Sequence, residues 1–470
     1  MKSSVANRWP IQVRYIIGNE ACERFSYYGM RSILAGYLTG AVLNGGLGQS
    51  PDAATEIIHL FVFVNYFMPL FGAWLSDRFF GRYHTILWVS LFYCAGHGVL
   101  ACSDFAGGVH GRVICLMIGL ALIAFGSGGI KPCVSAFMGD QFKPDQSHLL
   151  QKAYGAFYWA INFGSFFSFL IIPWIKGRYG YSWAFGVPGV LMAIATFVFW
   201  RGTKHYVRVP PSRVTKSAGF FKVFFHALFA RRARGGGFWE AAHDRFSARE
   251  IEAARSVPPI LFVFALVPVF WSLFDQTNST WVLQGQKMIS AQCLGLEIGA
   301  EQMQSMNPLF VMLLVPLFTL GIYPRLGRFA SPLKRMAFGM FLAAASYLVV
   351  AALQTRVESG VPISVLWQTL PYILLTGAEV LISITGLEFA FREAAPELKS
   401  TIMSFWLLTV AVGNLIVALI TKFFASGTGE NSVSTGRFLM YAGLTFVVAI
   451  LFSFIAAFYN YRDPTAAQGK

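Results

Sequence analysis

GNEACERFSYYGMR (Gly18–Arg31) sets two glutamates and two arginines inside a run that otherwise has the character of a membrane-spanning helix. Glu20, Glu23 and Arg24 recur at spacings of three and four, which places them on one helical face, and Arg31 lies two turns further on. A charge at the bilayer centre costs roughly 2.5 to 3.5 kcal/mol on insertion scales. Charges that faced lipid would not be tolerated there. These must face a shared aqueous cavity and pair with groups on other helices.

Composition sets the same frame for the whole chain. Its 470 residues are 56% hydrophobic and 16% aromatic, only 13% are charged, and the mean hydropathy is +0.56. A soluble protein would carry about 25% charged residues, so the chain reads as an all-α polytopic membrane protein. Apolar stretches of the length needed to cross a bilayer place helices near 13–39, 57–76, 85–103, 113–138, 153–175 and 182–200. A second set follows near 258–284, 306–324, 334–354, 366–391, 399–422 and 436–460. The expected organisation is twelve transmembrane helices in two six-helix bundles, 1–200 and 258–470, joined by a hydrophilic link, 201–257. The N-terminus runs directly into the charged first helix, with no cleavable signal peptide evident.

Orientation follows from lysine and arginine. The link carries Arg201, Lys204, Arg208, Arg213, Lys216, Lys222, Arg231, Arg232, Arg234, Arg245, Arg249 and Arg255. The turns after the second and eighth helices add Arg78, Arg82, Arg325, Arg328, Lys334 and Arg335, whereas 39–55 has neither residue type. Both termini and the link are therefore expected in the cytoplasm, in a plasma membrane or, for a bacterium, the inner membrane. The net charge of +15 reads as topology and attraction to anionic headgroups, and no aromatic-interleaved basic motif points to nucleic acid. Within the link, GFFKVFFHALFARRAR (Gly219–Arg234) has an apolar run too short to span and the pattern of a helix lying on the inner leaflet.

The six cysteines form no CxxC pair. A Cys102–Cys115 disulfide across a short outer loop is geometrically open to the chain. There is no metal-site spacing, no nucleophile–base pair and no cofactor motif, so neither an enzyme nor a metal or cofactor is expected.

Further polar groups fall at membrane depth: Lys131 in the fourth helix, Asn162 in the fifth, Asp275, Gln276 and Asn278 in the seventh, Asn307 in the eighth and Glu379 in the tenth. The cations Arg24, Arg31 and Lys131 come from the first bundle, and Asp275 and Glu379 bring acids from the second. A cavity with one basic and one acidic pole suits a zwitterion. Ion pairs that merely hold the bundle together are the competing reading, but buried pairs rarely add stability, and seven ionisable groups over four helices are too many for that role. The turns GAWLSDRFFGRYHTI (Gly72–Ile86) and GIYPRLGRF (Gly321–Phe329) echo one another, as two related halves would.

At these residues the chain resembles the proton-dependent oligopeptide transporter family, a branch of the major facilitator superfamily. Glu20-Ala21-Cys22-Glu23-Arg24 matches the family's ExxER, followed by Phe25, Tyr27, Tyr28 and Arg31. FGSGGIKPCVSAF (Phe125–Phe137), FYWAINFGS (Phe157–Ser165), FWSLFDQ (Phe270–Gln276), SITGLEF (Ser383–Phe389) and APELKS (Ala395–Ser400) are similar to further family motifs in the same order. Cys133 stands where the family usually has Asn, Asp275 where bacterial members often have Glu, and the link lacks two hydrophobic helices found in many of them.

The resemblance implies the major facilitator fold and proton-coupled symport of di- and tripeptides by alternating access, by a chain that works as a monomer. It implies a proton-coupling network of Glu20, Glu23, Arg24, Lys131 and Asp275. Arg24 and Lys131 would face the peptide carboxylate, and Glu379 its ammonium group, helped by Asn162 and Asn307. Tyr27, Tyr28, Arg31, Tyr66, Trp271, Ser383 and Trp406 would complete the binding surface. Arg31–Asp275 and Lys131–Glu379 are the expected gate pairs. A relative moving nitrate or another non-peptide solute is the alternative within transport, but a small anion needs no ammonium-binding acid such as Glu379.

Overall fold

The computed structural model describes residues 9–143, 146–211, 219–230, 237–293, 295–326, 331–427, 431–459 and 461. Arg213, Lys216, Arg231, Arg232, Arg234 and Arg328 lie outside the described residues. The chain is helical almost throughout, as a bilayer demands when no water is present to satisfy backbone N–H and C=O groups. The first group of helices is α1 (Val13–Thr39), α2 (Pro51–Leu75), α3 (Gly81–Ala101), α4 (Gly108–Gly139), α5 (Ser147–Tyr179) and α6 (Tyr181–Arg201). The link forms α7 (Phe220–Phe229) and α8 (Ala248–Arg255). There follow α9 (Val257–Phe264), α10 (Val267–Phe274), α11 (Thr280–Gly285), α12 (Met306–Pro316), α13 (Tyr323–Leu326), α14 (Pro332–Glu358), α15 (Thr369–Glu379), α16 (Thr385–Glu393), α17 (Lys399–Gly427) and α18 (Thr435–Phe458).

Among the described residues, nine helices are long and apolar enough to span, or ten if the bent pair Ala248–Phe264 and Val267–Gly285 is one span. This count takes Pro51–Ala101 as one unit of 51 residues, about 77 Å of helix against a hydrocarbon core of about 30 Å. Gly81 breaks it, with φ at 72°, a left-handed value that glycine takes without a Cβ penalty. α1 is a 27-residue helix whose five charged side chains (Arg14, Glu20, Glu23, Arg24 and Arg31) keep it outside an apolar definition.

Local chemistry explains where the elements begin. Ser50 accepts a hydrogen bond from the Ala53 N–H and Pro51 occupies the first turn, so α2 starts six residues before its apolar pattern does. Ser247 and Glu250 form a capping box that starts α8. The link also docks on the second group of helices: Phe220 and Phe221 lie against Phe405, and Arg249 pairs with Glu397. A hydrogen bond from its own backbone N–H, and then the Arg249 side chain, hold the Glu397 carboxyl below the usual carboxylate range. On the opposite side a small hairpin, β1 (Ala291–Cys293) and β2 (Leu296–Ile298), turns at Gly295. Cys102 and Cys115 are both free thiols, so the disulfide between them is not formed.

α1 to α6 pack on one another, as do α9 to α18, and the two groups meet along α2–α17 and α5–α12. Within the first group, glycines set the spacing. A Cβ on Gly72 would lie 2.6 Å from the Gly129 Cα, and one on Gly128 would lie 2.2 Å from the Met68 Cβ. This close approach of α2 and α4 carries Lys131 to the rings of Tyr66 and Tyr27. Gly128→Val is expected to force the helices apart and destabilise the protein by about 1 to 3 kcal/mol. A lowered midpoint in thermal unfolding of the detergent-solubilised protein checks this, and an unchanged midpoint refutes it.

Candidate functional site

The opening stretch folds into a compact ion cluster. One turn of α1 separates Glu20 from Arg24, and the Arg24 Nε lies 2.7 Å from Glu20 Oε1 and 2.9 Å from Glu23 Oε2. Both glutamates are fully buried, so a single guanidinium compensates two carboxylates in a dry setting. Lys131 approaches from α4. Its Nζ sits 4.0 Å from the Tyr66 ring centroid and 4.7 Å from that of Tyr27, with no hydrogen-bond partner among the described residues. Aromatic faces stabilise the ammonium electrostatically but take no proton from it. The Tyr27 hydroxyl in turn accepts from Asn65.

Two turns along α1, Arg31 crosses to the other bundle. Its Nη2 lies 2.6 Å from Asp275 Oδ1, and both side chains are about 3% exposed. Asp275 is placed by a break in its helix: α10 ends at Phe274, a tight 3-10 turn covers Asp275–Asn278, and α11 restarts at Thr280. A discontinuous helix at membrane depth is tolerated where it lines a cavity, and it offers polar groups to a ligand. The second carboxylate oxygen, Oδ2, accepts from Asn414 Nδ2 at 2.7 Å. Asn414 Oδ1 faces His59 Nδ1 at 2.7 Å, and His59 Nε2 faces Ser279 Oγ at 2.9 Å. Because the Asn414 amide donates to Asp275, its oxygen must accept, which assigns the proton on His59 to Nδ1. Arg31, Asp275, Asn414 and His59 thus form one chain of polar contacts across the α2–α17 seam. His59 and Asn414 carry no formal charge and belong to no motif, so nothing in the sequence separates them from other polar residues of their helices such as Asn65 and Thr409. The rule that singles out charged residues in spans covers them equally.

Glu379 closes α15 at the start of a π-helical turn, Val380–Ile384, a distortion frequent at functional positions. Asn307 Nδ2 donates to Glu379 Oε2 at 2.7 Å and reaches Thr376 Oγ1 at 3.2 Å. Glu379 and Lys131 are not paired, so of the two expected gate pairs only Arg31–Asp275 is in contact.

A cavity of about 150 Å³ joins these groups. Tyr28, Arg31, Tyr66, Asn162, Trp271, Asp275, Asn307 and Glu379 line it, together with Tyr158, Ser165, Thr277 and Gln304, which the sequence reading did not select. Asn162 spends its amide N–H on the Tyr158 carbonyl of its own helix. Glu20, Glu23, Arg24, Tyr27 and Lys131 stand behind the wall rather than in it. Ser383 and Trp406 are also absent from the lining. Trp406 packs edge-on against Phe264 and Trp271 and fills the space left by Gly386, where a Cβ would lie 2.3 Å from its ring.

Comparison with known proteins agrees with this architecture. A family model described as the POT family matches residues 83–436, so the charged stretch in α1 lies outside the matched part. Solute carrier family 15 member 2 of Danio rerio is 37% identical over 366 residues, 74% of this chain and 50% of its own. Solute carrier family 15 member 1 of Homo sapiens is 36% identical over 383 residues, 76% of this chain and 53% of its own. The chain spans about half the length of these curated relatives. The structure of an auto-inhibited POT family peptide transporter superposes with a TM-score of 0.87 at 39% identity, covering 97% of this chain and 98% of the other. With the family's pattern matched along three quarters of its length and its helices superposing over nearly all of it, the chain belongs to the POT family.

Proposed function

We propose that the protein imports di- and tripeptides into the cell by proton-coupled symport, through alternating access of a site between two six-helix halves. The observation that carries this reading is the charge division of one cavity. Arg31 stands on the α1 wall, and Glu379, held by Asn307, stands on the α15 wall. A peptide has constant charged termini and variable side chains, so two charged poles with aromatic surface between them accept many sequences. The named activity of the solved relative, peptide transport, agrees. Twelve spans result when Pro51–Ala101 is divided at Gly81 and α1 and the bent pair are each counted. The link at 201–257 and both termini are placed in the cytoplasm by the lysines and arginines, and the protein acts as a monomer in the plasma membrane.

Coupling follows from competition for cations. Ionised Asp275 holds Arg31 and keeps one face of the bundle shut. Protonation removes that hold and frees the guanidinium for a peptide carboxylate. Arg24 and Lys131 reinforce the cationic pole from behind Tyr27 and Tyr66, and Lys131 pairs with Glu379 when the cytoplasmic side closes. Glu20 and Glu23 share Arg24, so one of them can take a proton without leaving the cation bare.

Reconstituted protein in liposomes with an inward proton gradient is expected to accumulate dipeptide. Glu23→Gln should abolish that accumulation while preserving peptide counterflow, because exchange at equal proton concentrations needs no coupling. Normal accumulation by Glu23→Gln and Glu20→Gln would reduce the α1 cluster to a structural role. A chain unable to move any peptide would refute the whole assignment. Asn414→Leu is expected to remove a hydrogen bond to a charged group and cost about 1.5 to 3 kcal/mol, seen as a lower unfolding midpoint in detergent. An Asp275→Asn background should shrink that cost, since the charge has gone.

A further inference from the structure

Arg31–Asp275 and His59–Asn414 tie the α1 and α2 edge of the first group to α10 and α17. The α5–α12 seam, on the other flank of the cavity, needs its own closure at that face. Lys176, in the last turn of α5, lies there with its Nζ 2.6 Å from Glu301 Oε2. Glu301 belongs to the segment that enters α12 and is 5% exposed.

That segment is also seated on α1. The position of Gly36 is five residues beyond Arg31, about 7.5 Å further along the helix. A Cβ on Gly36 would lie 2.2 Å from Glu301 Oε1, so the carboxylate rests directly on the α1 backbone where glycine leaves room. Glu301 Oε1 has no hydrogen-bond partner among the described residues. Three residues on, Gln304 Nε2 donates to the Ser32 carbonyl at 3.0 Å and to the Glu301 carbonyl at 3.1 Å. A cavity of about 410 Å³ opens beside the pair, lined by Arg178, Gln286 and Glu297 among others. Lys176 and Glu301 both line this cavity, the Lys176 side chain one-quarter exposed and that of Glu301 only 6%.

We infer that Lys176–Glu301 is a second latch on the face remote from the termini, and that it must part together with Arg31–Asp275 before the central cavity can open there. The latch rests on the alternating-access reading above. Its physical logic is that of any buried pair: the cost of stripping water from Glu301 is offset only while Lys176 stays in contact. Separation of the bundles returns both groups to solvent, so the pair acts on the closed state alone. Removing either charge takes away an interaction the open state never had, and the population shifts toward open.

The test uses the full chain in intact cells. Thr277, which lines the central cavity, is replaced by Cys, and the exposed Cys102 and Cys293 are replaced by Ser in every arm. A membrane-impermeant maleimide then reports opening toward the outside. Glu301→Gln and Lys176→Gln are each expected to raise the labelling rate by up to about fivefold, the factor that loss of one favourable ion pair allows. The double variant should label no faster than either single one, because both remove the same contact. Unchanged rates in the single variants, or additive gains in the double, would overturn the latch. Should Glu301→Gln fail to reach the surface, Lys176→Gln decides alone, since that side chain is already partly in water. Labelling needs no peptide. A labelling response without peptide accumulation in the parent would sink the substrate assignment and keep the latch, and accumulation without a labelling response would do the reverse.

Discussion

A charge inside a bilayer must meet its counter-charge on another part of the protein, and this constraint organises the structure. Arg31 and Asp275, 244 residues apart in sequence, meet at 2.6 Å with almost no exposure. Neither helix could present its charge to lipid, so the two bundles are obliged to face one another at this level. Close glycine packing of α2 against α4, the break in α10–α11 and the π turn after Glu379 each serve to aim a polar group inward. A uniformly regular, evenly spaced helix bundle would leave those groups among apolar neighbours.

The same constraint suits the assembly to the proposed alternating access. A buried ion pair roughly offsets its own desolvation, so it contributes little net stability while intact and a large penalty when one partner is lost. Such contacts suit a gate because either of two arrangements can satisfy the same charges. Arg31 is committed to Asp275 here, while Lys131 rests on tyrosine faces and Glu379 on Asn307. The cations and acids nearest the cavity are thus partly occupied by one another and partly by neutral groups that a charged ligand terminus could displace. Membership of the POT family rests on the fold and the matched length; the roles of individual side chains rest on this electrostatic division.

Helices of the right length, their order and the charged positions were legible in the sequence because they are local properties. Apolar runs about 20 residues long report a bilayer directly, and a glutamate or arginine inside one is conspicuous. α1 spans Val13–Thr39, where the pattern placed it. Helix starts were less legible: α2 begins at Pro51 because Ser50 caps it, a signal independent of hydropathy. Trp406 shows the opposite failure. An aromatic residue at a family position gives no sign of whether it meets a cavity or fills the notch over Gly386, and in this fold it fills the notch.

What the sequence by itself determined is the class of protein, its orientation rule and the inventory of charges that had to be paired. Which charge meets which was decided by tertiary structure alone. Arg31 could have met either Asp275 or Glu379 at membrane depth, and only the register of α1 against the 3-10 turn at Asp275–Asn278 brings Asp275 into contact. His59 and Asn414 acquire meaning only when α2 and α17 lie side by side and bring an imidazole and an amide within 2.7 Å. Lys176 and Glu301, ordinary loop-end charges in the sequence, become a cross-bundle pair for the same reason. Pairing depends on distances between segments far apart in the chain, and packing sets those distances.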